Sequence, residues 1–194
     1  MKILFTLVLV LTMTRLHCQD ISEQNDPKKH PTLVNTTSVD VISGKPVDFY
    51  LHHKDISNTA KLFYKGEYAL SDDDGTFSFL DSVLTDNYET RPFYFFILNQ
   101  AVKISDGAVS EYVSGVCAKY IGKFPCEFLS NSKSKRNKIE IEKWALFVAD
   151  DFGETSKFDK YSEEINDEIV VLCPARHNDW KNLTLLIKNK IEDK

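Results

Sequence analysis

The clearest hydrophobic pattern in the chain lies near its middle. Apolar and aromatic residues recur there at intervals of three or four, at Val109, Tyr112, Val113, Val116 and Tyr120. Residues with this spacing share one face of an α-helix. Turn residues precede the segment at 105–107, and Gly122 and Pro125 follow it. The pattern therefore predicts an amphipathic helix over about residues 107–121, with one face in a protein core.

The segment just before it is apolar on almost every side. Residues 93–104 follow Pro92, which is tolerated in the first turn of a helix. A helix that is apolar nearly all round is typical of a central, buried element. We therefore expect the helices over 107–121 and 139–152 to surround this one, with a core that includes Phe93, Phe96, Ile97 and Leu98.

Helical spacing recurs along most of the remaining chain. It predicts helices over residues 56–65, from about 76, from about 139 to Gly153, from Phe158 to Pro174, and from about 178 onward. The connections are short, as between antiparallel neighbours. The predicted fold class is mainly α, either an irregular multi-helix bundle or a short stack of antiparallel helix pairs. Residues 46–54 fit a strand or a helix, and both alternatives stay open.

The N-terminal part of the chain has a different character. Residues 1–19 combine Lys2 with an apolar run too short to span a bilayer, which is the layout of a signal peptide. Residues 20–45 are polar, contain two prolines and lack helical spacing, so they are expected to form a flexible tether. The helical domain then covers residues 46–194. These features predict export to a periplasmic or extracellular location.

Lipid anchoring of the exported chain is the less favoured alternative. Cys18 could be the lipidated first residue of a bacterial lipoprotein, but Leu16 and His17 lack the small side chains expected before it. No segment of the mature chain reaches membrane-spanning length, so no transmembrane segment is expected there.

Composition and charge narrow the class of partner. The chain has 194 residues, of which 42% are hydrophobic and 27% charged, and this balance suits one globular domain. Its formal net charge is −5, and removal of Lys2 and Arg15 with the signal peptide leaves an excess of seven acidic residues. A negative chain is a poor nucleic-acid binder, because phosphates require a positive field. Another protein is the expected partner.

Three cysteines remain after signal cleavage. In an oxidising compartment two of them can pair, and the short separation of Cys117 from Cys126 makes these two the predicted disulfide. A zinc site formed with Cys173 and His177 is the disfavoured alternative, because structural zinc sites use closely spaced cysteine pairs. We therefore expect no metal ion and no cofactor.

The segment around residue 163 is the strongest candidate for a functional surface. Like charges recur at helical spacing on it, at Asp159, Glu163, Glu164, Asp167 and Glu168. Such pairs destabilise an isolated helix by a few tenths of a kcal/mol each. The segment is interpreted first as a solvated outer face. It could also dock a basic partner, or the basic loop of this chain formed by Lys133, Lys135, Arg136 and Lys138.

Motifs that would indicate an enzyme are missing from the sequence. It contains no Gly-x-Ser-x-Gly, no His-Glu-x-x-His, no phosphate-binding glycine loop and no Cys-x-x-Cys. A hydrolase with dispersed residues would draw first on Asp150, Asp151 and His177.

The acidic run at residues 72–74 and the position of Arg91 lead to two further structural predictions. The run of acidic residues at 72–74 is expected to cap a helix, because its spacing does not fit a calcium-binding loop. Arg91 stands in the first turn of the buried helix, where a cation is disfavoured. It is expected either to be exposed or to form a buried ion pair with Asp86 or Glu89.

One stretch resembles a known group of proteins. Residues 89–96, Glu-Thr-Arg-Pro-Phe-Tyr-Phe-Phe, followed by Ser-Asp-Gly-Ala at 105–108, are similar to a pattern in uncharacterised exported helical proteins of Bacteroidota. The resemblance covers about the middle third of the chain and implies export without implying an activity.

Three functions follow as hypotheses. The first is an exported non-enzymatic helical domain that binds another protein or belongs to the cell envelope. The second is an envelope inhibitor or immunity-type protein whose acidic face blocks a basic toxin or enzyme. The third is the hydrolase with dispersed active-site residues.

Overall fold

The computed structural model describes residues 39–133 and 139–194. The predicted signal peptide, the first part of the predicted tether and most of the basic loop lie outside these residues. Within them, nine α-helices surround one hydrophobic core, and the only sheet is a two-stranded hairpin. The fold class predicted from the sequence, mainly α with several packed helices, is confirmed.

The domain begins earlier in the chain than predicted. Strands β1 (Val41–Ile42) and β2 (Lys45–Pro46) pair antiparallel, and Ile42 is only 5% exposed. The hydroxyl of Tyr50 donates to the Ile42 carbonyl oxygen over 3.1 Å. The assignment of residues 20–45 to a tether is therefore wrong at its C-terminal end, because a single buried isoleucine and its hairpin attach residues 41–45 to the core.

The ambiguous segment after the hairpin is helical. Helix α1 (Val47–His52) is followed by α2 (Asn58–Lys65), whose amino end is capped by the Ser57 hydroxyl accepting from the Ala60 amide. Helix α3 (Asp74–Asp81) begins after Asp73, whose carboxylate accepts from the Thr76 amide over 2.7 Å. This bond confirms that the acidic run caps a helix. A short 3₁₀ turn (Ser82–Leu84) then leads toward the central helices.

The central layer consists of α4 (Arg91–Ile104), α5 (Gly107–Lys123) and α7 (Ile141–Phe152), with the short α6 (Pro125–Ser132) between the last two. Helix α4 packs against both α5 and α7, as expected from its apolar surface. Trp144 of α7 contacts the other three helices: its indole N–H donates to Asn99 of α4 over 3.0 Å, and its ring contacts Tyr120 of α5 and Phe128 of α6.

One expected core residue lies at the margin. Phe93, Ile97 and Leu98 are fully buried, whereas Phe96 is only partly buried and contacts the ring of Tyr64 at the edge of the core. Phe95 occupies the interior position instead, stacked on Tyr120 with 4.9 Å between ring centroids.

The remaining helices form the C-terminal face. Helix α8 (Thr155–Leu172) and helix α9 (His177–Glu192) are joined by a single 3₁₀ turn (Pro174–Arg176). The pairing of Ser162 with Thr184 and of Asp159 with Lys188 shows that the two helices run antiparallel. Helix α9 also packs on α7, which connects this face to the central layer.

Candidate functional site

Helix α8 is amphipathic, and its polar side holds most of the predicted acidic residues. Phe158, Ile165 and Ile169 are buried against the core. On the other side, Glu163, Glu164 and Asp167 are exposed, and Glu168 is half-buried. We call these four residues the carboxylate ridge. The helix presents them because its apolar positions recur every three or four residues and fix the opposite face inward.

The fifth predicted acidic residue has a partner. The Asp159 carboxylate lies 2.6 Å from the Lys188 ammonium on α9. Within residues 39–133 and 139–194, the carboxylate ridge forms no ion pair, so its charge is directed to solvent.

The basic loop meets a different carboxylate in the part of it that the structure describes. Lys133 lies 3.0 Å from Asp179 at the start of α9, and Arg176 is 3.3 Å from the same carboxylate. The hydrogen bond from Lys133 lowers the pKa of Asp179 below its usual value, with Arg176 contributing. Lys135, Arg136 and Lys138 lie outside the described residues.

A groove runs between the ridge and α9. Its volume is about 310 Å³, and its polar and apolar lining residues come from both helices: Ser162, Glu163, Asn166, Asp167, Trp180, Lys181, Thr184, Leu185 and Lys188. We call it the α8–α9 groove. Trp180 is 1% exposed and Leu185 is 61% exposed. The groove thus combines a buried aromatic residue, an exposed aliphatic side chain and two carboxylates.

The opposite wall of the groove carries the lysines. Lys188 is paired with Asp159, and Lys181, nearer the start of α9, is exposed. Glu163 and Asp167 on the α8 wall outnumber Lys181, the groove lysine that forms no ion pair with any described residue. The local charge balance of the groove is therefore negative.

The last turn of α8 adds apolar surface next to the ridge. Val170, Val171 and Leu172 are consecutive and exposed, with Val171 at 77%. Exposed apolar residues in contiguous groups mark interaction surfaces more often than isolated ones do. This C-terminal face therefore offers both charge and apolar area to a binding partner.

The end of α8 is held in place by a disulfide that differs from the predicted one. Cys126 pairs with Cys173, with 6.0 Å between the Cα atoms, and Cys117 is a free, buried thiol. The prediction that Cys117 pairs with Cys126 is wrong. Cys117 lies on the buried side of α5, whereas Cys126 in the first turn of α6 meets the residue after α8, far away in sequence but close in space.

The free thiol has none of the properties of an activated nucleophile. Burial, together with the nearby carboxylate of Asp151, raises the pKa of the Cys117 thiol well above its usual value. A buried, protonated thiol behaves as a small apolar side chain. Its place in the fold is thus explained by packing.

The residues suggested for a hydrolase are not brought together. Asp150, at the end of α7, lies 2.6 Å from Lys194, beyond the C-terminus of α9. His177 is the first residue of α9, a helix of 16 residues and hence about 24 Å long. Asp150 and His177 are therefore near opposite ends of α9, beyond the reach of a shared hydrogen bond.

The described residues offer neither a cluster of metal ligands nor a membrane-spanning helix. In the described part of the chain, no three side chains of His, Cys, Asp or Glu are grouped so that they could hold a metal ion. None of the described helices is both long enough and apolar enough to cross a bilayer.

Sequence reasoning missed the groove and placed the partner of Arg91 incorrectly. Arg91 pairs with Glu127 over 2.9 Å and donates to the Thr85 carbonyl oxygen over 3.0 Å, while its guanidinium stacks on Phe124. The sequence did contain one indication of the groove. Leu185 is an apolar residue that lies outside the buried face of α9. An aliphatic residue off the stripe of an amphipathic helix indicates surface exposure.

The chain matches no family model, no curated protein and no solved structure with which it was compared. The chemistry of the C-terminal face is thus what bears on function. Exposed carboxylates beside a mixed groove can bind cationic and amphipathic groups through charge and apolar contact.

Proposed function

We propose that the protein is an exported, non-enzymatic helical domain that binds a basic protein through its carboxylate ridge. The observation that carries this proposal is the absence of ion pairs at Glu163, Glu164, Asp167 and Glu168 among the described residues, on a face that also holds a groove and exposed apolar residues. A partner that presents lysine or arginine would supply the missing counter-charges.

The cost of the ridge to the free protein supports a binding role. Glu163 and Asp167 are four residues apart, as are Glu164 and Glu168, and like charges at this spacing repel on a helix by a few tenths of a kcal/mol per pair. A basic partner removes this repulsion when it binds. Opposite surface charge also accelerates encounter and raises the association rate at low salt.

Export is consistent with the covalent structure. Disulfides persist in oxidising compartments outside the cytosol, and the fold contains one between Cys126 and Cys173. The apolar segment at the N-terminus has the layout of a signal peptide. We propose that the mature domain meets its partner in the periplasm or outside the cell.

The test uses a fluorescein-labelled oligolysine peptide as the basic probe. The ridge variant combines Glu163→Gln, Glu164→Gln, Asp167→Asn and Glu168→Gln. A matched control removes the same number of carboxylates outside α8 and α9, through Asp55→Asn, Glu67→Gln, Asp72→Asn and Glu111→Gln. Both variants have the same net charge, so they separate the ridge from the overall charge of the protein.

We expect fluorescence anisotropy to show binding that weakens by about tenfold or more between about 0.05 M and about 0.5 M NaCl, because salt screens exposed charges. The ridge variant should lose about tenfold in affinity at low salt, and the control should change by less than about twofold. Equal losses in the two variants, or an affinity independent of salt, would show that the ridge is not the binding surface.

A further inference from the structure

We propose that the Cys126–Cys173 disulfide is a thiol-exchange site, at which a dithiol reductant attacks the Cys173 sulfur and frees the corner between α8 and α9, residues 170–179. This inference goes beyond the proposed function and does not depend on it. It is carried by three observations: the different helix ends at which the two cysteines lie, the unequal exposure of the residues beside them, and the lack of buried side chains in the corner.

The two cysteines lie at opposite kinds of helix end. Cys126 is the second residue of α6, where the positive end of the helix dipole stabilises a thiolate. Cys173 directly follows the last residue of α8, where the negative end of the dipole disfavours a thiolate. A disulfide breaks faster when the departing sulfur is the more stable thiolate. The attacking thiol is therefore directed to Cys173, and the Cys126 sulfur departs.

The charged residues nearest to the two cysteines along the chain are already paired. Glu127, which follows Cys126, lies 2.9 Å from Arg91, so its carboxylate opposes a thiolate there less than an unpaired one would. Arg176, three residues after the other cysteine, lies 3.3 Å from Asp179. The two helix ends therefore make the main electrostatic difference between the two sulfurs.

The residues beside the two cysteines favour attack at the same sulfur. Both cysteines are partly exposed. Cys173 stands between Leu172 and Pro174, and both of these neighbours are exposed. Pro125, which precedes Cys126, is buried. The chain around Cys173 is therefore more open to a reductant than the chain around Cys126.

The exchange reaction conserves atoms and electrons. A thiolate of the dithiol forms a bond to the Cys173 sulfur, and the electron pair of the Cys126–Cys173 bond leaves with the Cys126 sulfur. The second thiol of the reductant loses its proton and attacks the mixed disulfide, which releases Cys173 and closes a disulfide in the reductant. The two protein thiolates take up the two protons that the dithiol gives. The protein thus gains two electrons, and the dithiol loses two.

Reduction frees a corner that few other interactions hold. In the described chain, residues 170–179 lie between the buried Ile169 and Trp180 and include no buried side chain of their own. An ion pair between Lys133 and Asp179 joins the corner to the end of α6, but Lys133 is 59% exposed and exposed ion pairs stabilise little. We therefore expect α8 and α9 to stay packed on the core, and the corner to become mobile, when the disulfide opens.

The first experiment identifies the sulfur that is attacked. The full chain carries Cys18→Ser, so that no other thiol competes with the cysteines of the domain. The probe is glutathione, because a monothiol leaves the mixed disulfide in place, and excess N-ethylmaleimide stops the reaction at early times. We expect peptide mass spectrometry to find glutathione on Cys173 at least about tenfold more often than on Cys126. Equal amounts on the two cysteines, or an excess on Cys126, would overturn the proposed direction of attack.

The second experiment uses Cys117 as an internal control, because this buried thiol is labelled only when the domain opens. The same chain is reduced with dithiothreitol and then given a pulse of excess N-ethylmaleimide. We expect Cys126 and Cys173 to be labelled at least about tenfold faster than Cys117. Hydrogen exchange should become faster in residues 170–179 than in the oxidised chain and stay unchanged in α4 and α5.

Three results of the second experiment would contradict the proposal. Labelling of all three cysteines at one rate would show that reduction unfolds the domain, as loss of a purely structural disulfide does. Unchanged exchange in residues 170–179 would show that the disulfide does not hold the corner. A disulfide that dithiothreitol reduces only in denaturant would not be an exchange site.

Discussion

At the scale of single residues, Arg91 shows how an unfavourable charge is accommodated. The amino end of a helix disfavours a cation, and Arg91 stands in the first turn of α4. Its guanidinium is held by the Glu127 carboxylate, which also accepts from the Tyr120 hydroxyl over 2.9 Å. The residues near it in sequence are engaged elsewhere, since Asp86 pairs with Lys123 and Glu89 with Lys45.

The sequence could not predict that Glu127 pairs with Arg91. Helix α6 brings Glu127 to Arg91 across 36 positions of the chain, a contact that depends on how two helices pack. Charge balance predicted that Arg91 needs an acidic neighbour, and packing decided which one.

Neighbouring phenylalanines on α4 lead to a prediction about stability. Phe95 is buried against Tyr120 and Trp144, whereas Phe96 is partly buried at the edge of the core. Truncating a buried phenylalanine removes apolar contacts and leaves a cavity, at a cost of about 3–5 kcal/mol. We expect Phe95→Ala to reduce the free energy of unfolding by that amount and Phe96→Ala to reduce it clearly less.

Urea denaturation of the two variants measures this difference. The comparison is internally controlled, because the same chemical change is made at adjacent positions of one helix. Equal losses for the two variants would mean that Phe96 is as deeply packed as Phe95, contrary to the structure.

At the scale of the element, the stability that the Asp73 cap gives to the amino end of α3 is expected to depend on pH. The carboxylate of Asp73 accepts from the Thr76 amide, the Ser71 hydroxyl and the Tyr68 hydroxyl. Burial alone would raise the pKa of Asp73, but these hydrogen bonds outweigh it and lower that pKa below its ordinary value. The folded state therefore favours the charged carboxylate.

The sign of the pH dependence follows from this shift. A depressed pKa stabilises the fold above the unfolded-state pKa of about 3.9, and the contribution is lost as the pH falls through the lower folded-state pKa. Asp73→Ala should lower the free energy of unfolding by about 1 kcal/mol at neutral pH, and this loss should shrink in strong acid.

Chemical denaturation at neutral and acidic pH tests the cap. Asp72→Ala is the matched control, because Asp72 is an exposed acidic neighbour and the N-cap residue of α3 is Asp73. If the two alanine variants lost the same stability at neutral pH, or if the Asp73→Ala loss stayed constant into acid, the carboxylate would not be the cap.

Most helices could be predicted from the sequence because their signals are local. The stripe of α5 and the acidic cap of α3 are set by residues within one helix. The disulfide partner of Cys126 and the α8–α9 groove were missed, because each depends on residues distant in sequence meeting in the fold. The hairpin at residues 41–46 is local, but strands of two residues are too short to show an alternating pattern. Of the candidate site, the ridge could be predicted and the groove could not.

At the scale of the whole molecule, a disulfide and helix packing attach the C-terminal face to the rest of the fold. The Cys126–Cys173 disulfide ties the end of α8 to α6, and α9 packs on α7. The C-terminal face is therefore attached to the core at both its helices. A docking surface held in this way loses little conformational freedom when a partner binds.

The location of the binding surface is tested most directly by measuring where a basic ligand slows hydrogen exchange of the backbone amides. Hydrogen–deuterium exchange of the full chain, with and without oligolysine at low salt, reports this along the sequence. We predict slower exchange in peptides from α8 and α9 and unchanged exchange in α3 and α4. Slower exchange centred on α3 and α4, or no change in α8 and α9 with the ligand saturating, would contradict the assignment of the C-terminal face as the binding surface.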